Sequence, residues 1–203
     1  MLKLALTLVL WIPAMSLAAP YSIVIHGGAG TILRDKMSTE VEAEYREVLT
    51  KAVKAGHQVL QRGGSSTEAV TQAILVMEDS PLFNAGRGAV FTHDGEVELY
   101  ASIMRGDDLN AGAVTGVKRV RNPILLAEQV MLNSPHVMLM GAGAEAFAET
   151  RELDMVDVDE TVYRSGPVSG AVCGAGTTAA PPRLRRNKAC SQRVGVDDDE
   201  GSM

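Results

Sequence analysis

Residues 80–92, with the sequence SPLFNAGRGAVFT, constrain the fold more than any other stretch of the chain. Pro81 fixes its own φ angle and has no backbone N–H to donate. Gly86 and Gly88 permit backbone conformations that side chains forbid, and the Asn84 side chain is of a type that bonds well to nearby backbone. The stretch is therefore predicted to be a loop, which is either a site built from backbone atoms or an ordinary connection.

One strand and two helices are predicted before this loop. Residues 21–25 are a continuous apolar run, which is typical of a buried strand. Residues 26–30, HGGAG, form a glycine-rich turn whose amides could cradle an anion or an oxyanion. Two amphipathic helices follow, and each begins with capping-box spacing: Thr39 with Glu42, and Ser65 with Glu68.

A hairpin and two strand–helix pairs are predicted after the loop. The Asp94-Gly95 pair lies between residues 89–92 and 96–104, which are both rich in strand-forming residues, and this pattern predicts a hairpin. Small and branched residues at 111–117 predict another strand. The remaining elements are a helix from Asn122-Pro123 to about residue 133, a strand at 137–140 and a helix from Gly141 to about residue 151.

The composition is that of one globular domain. The chain has 203 residues, and 46% hydrophobic residues suffice for a core. A net charge of −6 argues against a nucleic-acid partner. Cys173 and Cys190 could pair in an oxidising compartment, but their spacing does not require a disulfide. No Cys/His spacing in the sequence predicts a zinc site.

Residues 1–18 are predicted to be a signal peptide. Lys3 supplies a positive charge, and the apolar run at 4–12 is too short to span a bilayer. Residues 16–18, SLA, fit the small-x-small pattern of a cleavage site. The alternative is a buried N-terminal strand or helix. The expected destination is the periplasm or the outside, with no membrane association once the signal is removed.

The composition changes after residue 160. Residues 165–182 are Gly, Pro, Ala, Ser, Thr and Val with few exceptions and have no usable periodicity, and they are followed by a basic cluster at 183–188 and an acidic one at 197–200. Residues 161–203 are therefore predicted to be disordered or foreign to the fold, leaving residues 19–160 as the folded region. Two origins stay open for this tail: a native segment, or the product of a shifted reading frame.

A possible dinucleotide site lies late in the chain. Residues 137–146, VMLMGAGAEA, combine a strand, a G-x-G-x-x-A pattern and a helix, with Asp157 and Asp159 further on. Only one strand–helix–strand unit could follow this motif. A dinucleotide-binding protein that uses Gly141 and Gly143 is the weaker of the alternatives.

Five motifs, taken together and in order, resemble the plant-type L-asparaginases, also called isoaspartyl peptidase/L-asparaginases. These enzymes are N-terminal nucleophile hydrolases. The order and spacing fit from residue 23 to about residue 160. The matching pieces are IVIHGGAG at 23–30, SPLFNAGRGAVFT at 80–92, GDDLNAGAVTGV at 106–117, RNPILLAEQVM at 121–131 and SPHVMLMGAGAEAFA at 134–148.

The resemblance implies an α+β fold, a four-layer αββα sandwich built from an α and a β subunit. The two subunits arise when the precursor cuts itself. The N-terminal threonine of the β subunit is the nucleophile, and its own amino group is the base. An oxyanion hole stabilises the tetrahedral intermediate. The implied substrates are L-asparagine and β-aspartyl peptides, which are split by water. No cofactor is implied, apart from a structural sodium ion.

The sequence departs from the family pattern where the nucleophile belongs. The family's Gly-Thr-Val-Gly and Thr-Ser-Thr-Gly-Gly segments are missing from the sequence, and Gly176-Thr177-Thr178-Ala179 is the nearest string. The chain thus resembles the α-subunit half of the sandwich, incomplete on its own and inactive alone. A β subunit would have to be supplied in trans.

The residues that can be carried over from the family have supporting roles. Gly27, Gly28 and Gly30 resemble the glycine loop beside the family's cleavage site, and Asn84 resembles an asparagine near the active site. No catalytic residue can be assigned. The family's sodium loop, which binds its ion through backbone oxygens, corresponds to Met77, Glu78, Ser80, Phe83, Ala85 and Arg87.

Two functions of different classes follow from the sequence. The first is an amidohydrolase α subunit acting on small amides or β-aspartyl peptides. The second is a non-enzymatic remnant of the fold that serves as a binding or regulatory subunit. A partner chain that begins with threonine would favour the first over the second.

The signal-peptide prediction can be tested directly. N-terminal sequencing of exported protein should begin at Ala19, because cleavage is expected after the small residue Ala18. Exported protein that still begins at Met1 would contradict the prediction.

Overall fold

The computed structural model describes residues 21–28 and 37–156 and, for the backbone alone, residues 193–197. These residues form strands and helices in a mixed order, which confirms the α+β class. The elements are β1 (Ser22–His26), α1 (Thr39–Gln61), α2 (Ser66–Glu78), a 3-10 turn (Gly86–Gly88), β2 (Leu99–Met104), β3 (Ala111–Val117), α3 (Pro123–Asn133), β4 (Met138–Met140), α4 (Gly141–Thr150) and β5 (Arg193–Asp197).

The strands belong to two sheets. In the larger sheet, of order β2-β3-β4, β2 runs antiparallel to β3, and β4 runs parallel to it. The predicted Asp-Gly turn is present in the structure. Gly95 has a φ of +79°, and its amide donates to the Thr92 carbonyl at 3.1 Å. In the described residues, the two arms of the predicted hairpin are joined by a single β-bridge, between Phe91 and Val97. Strand β2, which follows the turn, pairs with β3 and not with residues 89–92.

Helices α3 and α4 pack on one face of the three-stranded sheet. Gly112 of β3 lies so close to α3 that a Cβ there would be 2.1 Å from the Ala127 carbonyl oxygen. The close approach lets branched side chains from the sheet and the helices form one core. Its fully buried members include Val114, Val117, Ile124, Leu126, Val130, Ala144 and Ala148.

Helices α1 and α2 pack against each other, and α1 also contacts β1 while α2 contacts β5. Ser38 caps α1, since its Oγ accepts from the Val41 amide at 3.3 Å. The observed cap therefore lies one residue before Thr39, the predicted one. Ser65 caps α2 as predicted and accepts from the Glu68 amide at 3.1 Å. At Gly56, a Cβ would be 2.7 Å from the Ala69 carbonyl oxygen, which shows how closely the helices cross.

Both sheets have a face that the described helices do not cover. In β1, Ile23 and Ile25 pack towards the helices, but Val24 is 69% exposed, so the prediction of a buried strand is wrong for that face. The continuous apolar run does not distinguish a strand covered on both faces from one covered on one. On the larger sheet, the uncovered apolar side chains are Tyr100, Met104, Met138 and Met140.

Strand β5 lies within residues 161–203, for which the composition predicts disorder. Its five residues pair antiparallel with β1, from Ser22 opposite Asp197 to His26 opposite Arg193. The free edge of β1 offers unpaired backbone donors and acceptors, and a short run with two valines can satisfy them. The other residues of this tail, and the signal-peptide residues 1–18, lie outside the described residues.

Among the described residues, no helix combines the length and the apolar character that crossing a membrane requires.

The close contact at Gly112 predicts a sharp difference between two glycine-to-alanine variants. Gly112→Ala should lower the free energy of unfolding by about 1–3 kcal/mol, because the added methyl group overlaps backbone atoms of α3. Gly143→Ala is the matched control, since a Cβ there meets nothing within 4 Å and alanine favours the helix by up to about 1 kcal/mol. Urea unfolding midpoints measure both changes. Equal midpoints for the two variants would refute the packing argument.

Candidate functional site

The loop at residues 79–90 is closed by its own hydrogen bonds. Asn84 Oδ1 accepts from the Val90 amide at 2.9 Å, which confirms the prediction that its side chain bonds to nearby backbone. Within the loop, the Ala85 amide donates to the Phe83 carbonyl at 2.8 Å, and the Gly88 amide donates to the Ala85 carbonyl at 3.0 Å. These bonds hold the loop together from within.

Both loop glycines are required by close contacts. A Cβ at Gly86 would lie 2.4 Å from the Glu78 carbonyl oxygen, and one at Gly88 would lie 2.2 Å from the Phe83 carbonyl oxygen. Gly86 also has a φ of +46°, which side chains rarely adopt. The loop therefore folds tightly over the end of α2, as the glycine pattern indicates.

The same contacts bear on the predicted sodium loop. The carbonyl oxygen of Glu78 lies against Gly86, and those of Pro81 and Phe83 lie against Gly88. Backbone oxygens are the kind of ligand that a hard cation takes. Within the described residues, no cluster of three or more His, Cys, Asp or Glu side chains could hold a metal, and the sodium loop stays a prediction.

The glycine-rich turn lies beside this loop. At Gly27, a Cβ would lie 3.2 Å from Leu49 Cδ2 and 3.3 Å from Phe83 Cε1, so the turn packs on the aromatic ring of the loop. Gly28 has a φ of +123°, and its amide donates to His26 Nδ1 at 3.3 Å. The structure thus brings two of the predicted site segments together, while Gly30 lies outside the described residues.

The side chain of Glu78 is a buried carboxyl group. From the sequence, only the backbone oxygen of this residue is predicted to have a role, as a sodium ligand. It ends α2, is 2% exposed, and its Oε1 accepts from the Ile124 amide of α3 at 3.1 Å. Within the described residues, Oε2 and the nearby Asn122 Nδ2 have no hydrogen-bond partner. Helical spacing could have predicted the burial of Glu78, since residue 78 lies four positions after the inward-facing Ile74.

Burial dominates the protonation of this group. Removal from water raises the pKa of Glu78 from its ordinary 4.5 to about 8. The neighbouring Asn122 and the Ile124 amide lower this pKa, and the charge of Asp79 raises it, but both effects are smaller than burial. The carboxyl group is therefore mainly protonated at neutral pH.

A cavity of about 540 Å³ lies between the Asn84 loop and the larger sheet. Its polar lining residues include Glu78 and Asn84 and, from β2 and β3, Ser102 and Thr115. The described lining residues include two glutamates but no lysine, arginine or histidine. They therefore offer no counter-charge to an anionic group.

The geometry does not support the dinucleotide alternative. Helix α4 begins at Gly141, directly after β4, without the glycine-rich loop that would hold a pyrophosphate. Asp157 and Asp159 lie outside the described residues.

The raised pKa of Glu78 predicts how stability changes with pH. Unfolded Glu78 has its ordinary pKa, so between pH 4.5 and about 8 the folded state binds more protons than the unfolded state. The free energy of unfolding is therefore expected to fall as pH rises through this range, by up to about 1 kcal/mol per pH unit. Urea unfolding of the wild type and Glu78→Gln at several pH values tests this. Parallel pH profiles for the two proteins would contradict it.

Comparison with known proteins places these features in one family. The chain is 51% identical over 134 residues to the isoaspartyl peptidase of Escherichia coli strain K12, covering 66% of this chain and 42% of that protein. It is 50% identical over 127 residues to the plant-type L-asparaginase of Pyrococcus abyssi, covering 63% and 40%. With the isoaspartyl peptidase/L-asparaginase of Mus musculus it shares 41% over 140 residues, covering 69% and 42%.

The chain spans about two fifths of the length of these relatives. The match to the family model described as Asparaginase covers residues 19–166, which include β1, the Asn84 loop and all the elements from α1 to α4. Since this match extends over well over half of the sequence, the chain belongs to the asparaginase family.

Proposed function

We propose that this chain is the α-subunit portion of an amidohydrolase that acts on L-asparagine or β-aspartyl peptides. The observation that carries the proposal is family membership over residues 19–166, together with relatives named for isoaspartyl peptidase and L-asparaginase activity. A hydrolase of this family breaks the amide bond with water and needs no organic cofactor.

In the proposed complete enzyme, the N-terminal threonine of a β subunit attacks the substrate carbonyl carbon. Its α-amino group takes up the hydroxyl proton and then delivers a proton to the leaving amine or ammonia. Water then hydrolyses the acyl-enzyme and releases aspartate, or an aspartyl product. The nearest threonine string here, at Thr177, lacks the family's flanking residues, so this chain is proposed to be inactive alone.

The charge of the cavity supports the proposal that this chain and a second portion each supply part of the site. The described lining has no cationic side chain, so the group that binds the substrate carboxylate has to come from the second portion. The proposed contribution of this chain is the wall that carries Asn84 and the turn with Gly27, Gly28 and Gly30. Backbone oxygens of the predicted sodium loop would hold a structural cation, whose charge would keep the loop carbonyls together.

The proposed partner is a β subunit that completes a four-layer αββα sandwich. The uncovered faces of both sheets support this, because exposed apolar faces such as that of Tyr100, Met104, Met138 and Met140 favour burial against another layer. Nucleic acid is not a proposed partner. Residues 1–18 are proposed to export the protein to the periplasm or beyond, where it acts as a soluble protein.

A second candidate is a non-enzymatic remnant of the fold with a binding or regulatory role. The missing nucleophile segment and the lack of a cation in the described cavity lining favour it over a self-sufficient enzyme. Co-purification with a chain that begins with threonine would exclude it.

The activity of the purified chain tests the proposal. Alone, it should release no ammonia from L-asparagine and no product from a β-aspartyl dipeptide, and mass spectrometry should find no cut before Thr177. Mixed with a family β subunit, it should turn over at least one substrate, because the second portion supplies the nucleophile and the carboxylate binder. Turnover by the chain alone would refute the incomplete-enzyme proposal.

The mixture also allows a test of Asn84. Asn84→Ala should lower kcat/KM at least about tenfold, because the loop loses the bond to the Val90 amide and one wall of the cavity shifts. Gly143→Ala, which lies in open space, is the control and should keep the activity of the unaltered mixture.

A further inference from the structure

We propose that the side chain of Glu78 is a positioning residue, which holds the Asn84 loop in place against helix α3. No substrate contact is assigned to it. The inference goes beyond the proposed function, and it rests on that function only where activity is used as a readout.

The first step is the bond itself. Ile124 is the second residue of α3, and its amide is one of the donors that a helix start leaves without an internal partner. Asn122 occupies the N-cap position, but its side chain makes no capping bond. Glu78 Oε1 takes that role from 46 positions away in the sequence, at 3.1 Å and in a buried setting. The end of α2 and the start of α3 are thereby joined through one carboxyl group.

The second step is that the loop sits on the same residue. Gly86 packs so tightly on Glu78 that a Cβ would lie 2.4 Å from its carbonyl oxygen and 2.8 Å from its Cβ. A movement of Glu78 therefore displaces the 3-10 turn of the loop. The Val90 amide is bonded to Asn84 within this loop, so its exchange reports whether the loop keeps its shape when that support is lost.

The third step is the position of Glu78 relative to the cavity. The loop is anchored to α1 at its other side, where the Tyr45 and Phe83 rings meet edge to face with centroids 5.7 Å apart. Glu78 supplies the anchor to α3, which packs on β2 and β3. The loop and these strands line the same cavity, and so do Glu78 and Ile124, so the Glu78–Ile124 bond lies where it can fix the spacing between them.

Hydrogen exchange with residue resolution tests the inference in the chain as it exists. Glu78→Met preserves the approximate size and removes the acceptor, so the Ile124 and Val90 amides should exchange at least about tenfold faster. Glu78→Gln keeps an acceptor oxygen and should restore slow exchange at both amides. The amides of the β2–β3 ladder should exchange as in the wild type in both variants, because the sheet does not depend on the loop.

A second glutamate gives the matched control. Glu145 Oε1 accepts from the Lys118 amide at 2.6 Å and from the Arg119 amide at 3.0 Å, so it also bonds backbone of a neighbouring segment. Glu145→Met should speed exchange at residues 118 and 119 and leave the Val90 amide unchanged. Faster exchange at Val90 in this control would show that the loop responds to any loss of stability, and would overturn the inference.

Two further results would overturn it. One is unchanged Val90 exchange in Glu78→Met, and the other is equally faster exchange throughout the β2–β3 ladder. If Glu78→Met does not fold, Glu78→Asp takes its place, because it keeps the carboxyl group but is one methylene too short to reach Ile124. Unchanged exchange at Val90 and Ile124 in that variant would count against the inference equally.

Activity separates this inference from the proposed function. In a mixture with a family β subunit, Glu78→Asp should lower kcat at least about tenfold, and Glu78→Gln should stay within about threefold of wild type. A wild-type mixture without turnover contradicts the proposed function, while the exchange results still decide the role of Glu78. Equal kcat values for Glu78→Asp and wild type would refute the positioning role.

Discussion

The structure depends on a buried carboxyl group where two helices meet. Glu78 ends α2, bonds the Ile124 amide at the start of α3, and supports the glycine turn of the Asn84 loop. Burying a carboxyl group is costly, and here the cost is reduced by protonation and by one hydrogen bond to the helix start. The helix pair α1–α2 and the sheet with α3 and α4 are thus joined at a point that is sensitive to side-chain length and charge.

Close backbone contacts fix the geometry on both sides of this junction. Gly56 brings α1 against α2, Gly112 brings β3 against α3, and Gly86 brings the loop against the end of α2. Each contact leaves no space for a methyl group, so each distance is set by backbone atoms and not by adaptable side chains. A loop held in this way keeps Asn84 in a defined position even though the cavity beside it is open.

Local patterns predicted the elements and the loop, but not the contacts between distant segments. The spacing of Ser65 and Glu68 located a helix start, and the glycines of residues 80–92 located a tight loop, because both depend on neighbouring residues alone. The burial of Glu78 and the exposure of Val24 depend on what packs against them from elsewhere, so their local sequence could not decide either. The same holds for strand β5, whose pairing depends on the free edge of β1.

The charge distribution of the described cavity supports the proposal that a second portion completes the site. The cavity lining has carboxyl groups and an amide, which can form hydrogen bonds, but no cationic side chain. An anionic group would therefore be left without a counter-charge there, which costs binding energy in a partly buried site. A second portion with a cationic side chain would therefore change binding and catalysis together. The wall built around Asn84 and Glu78 would then act by keeping the distance between the loop and the sheet constant while the other groups react.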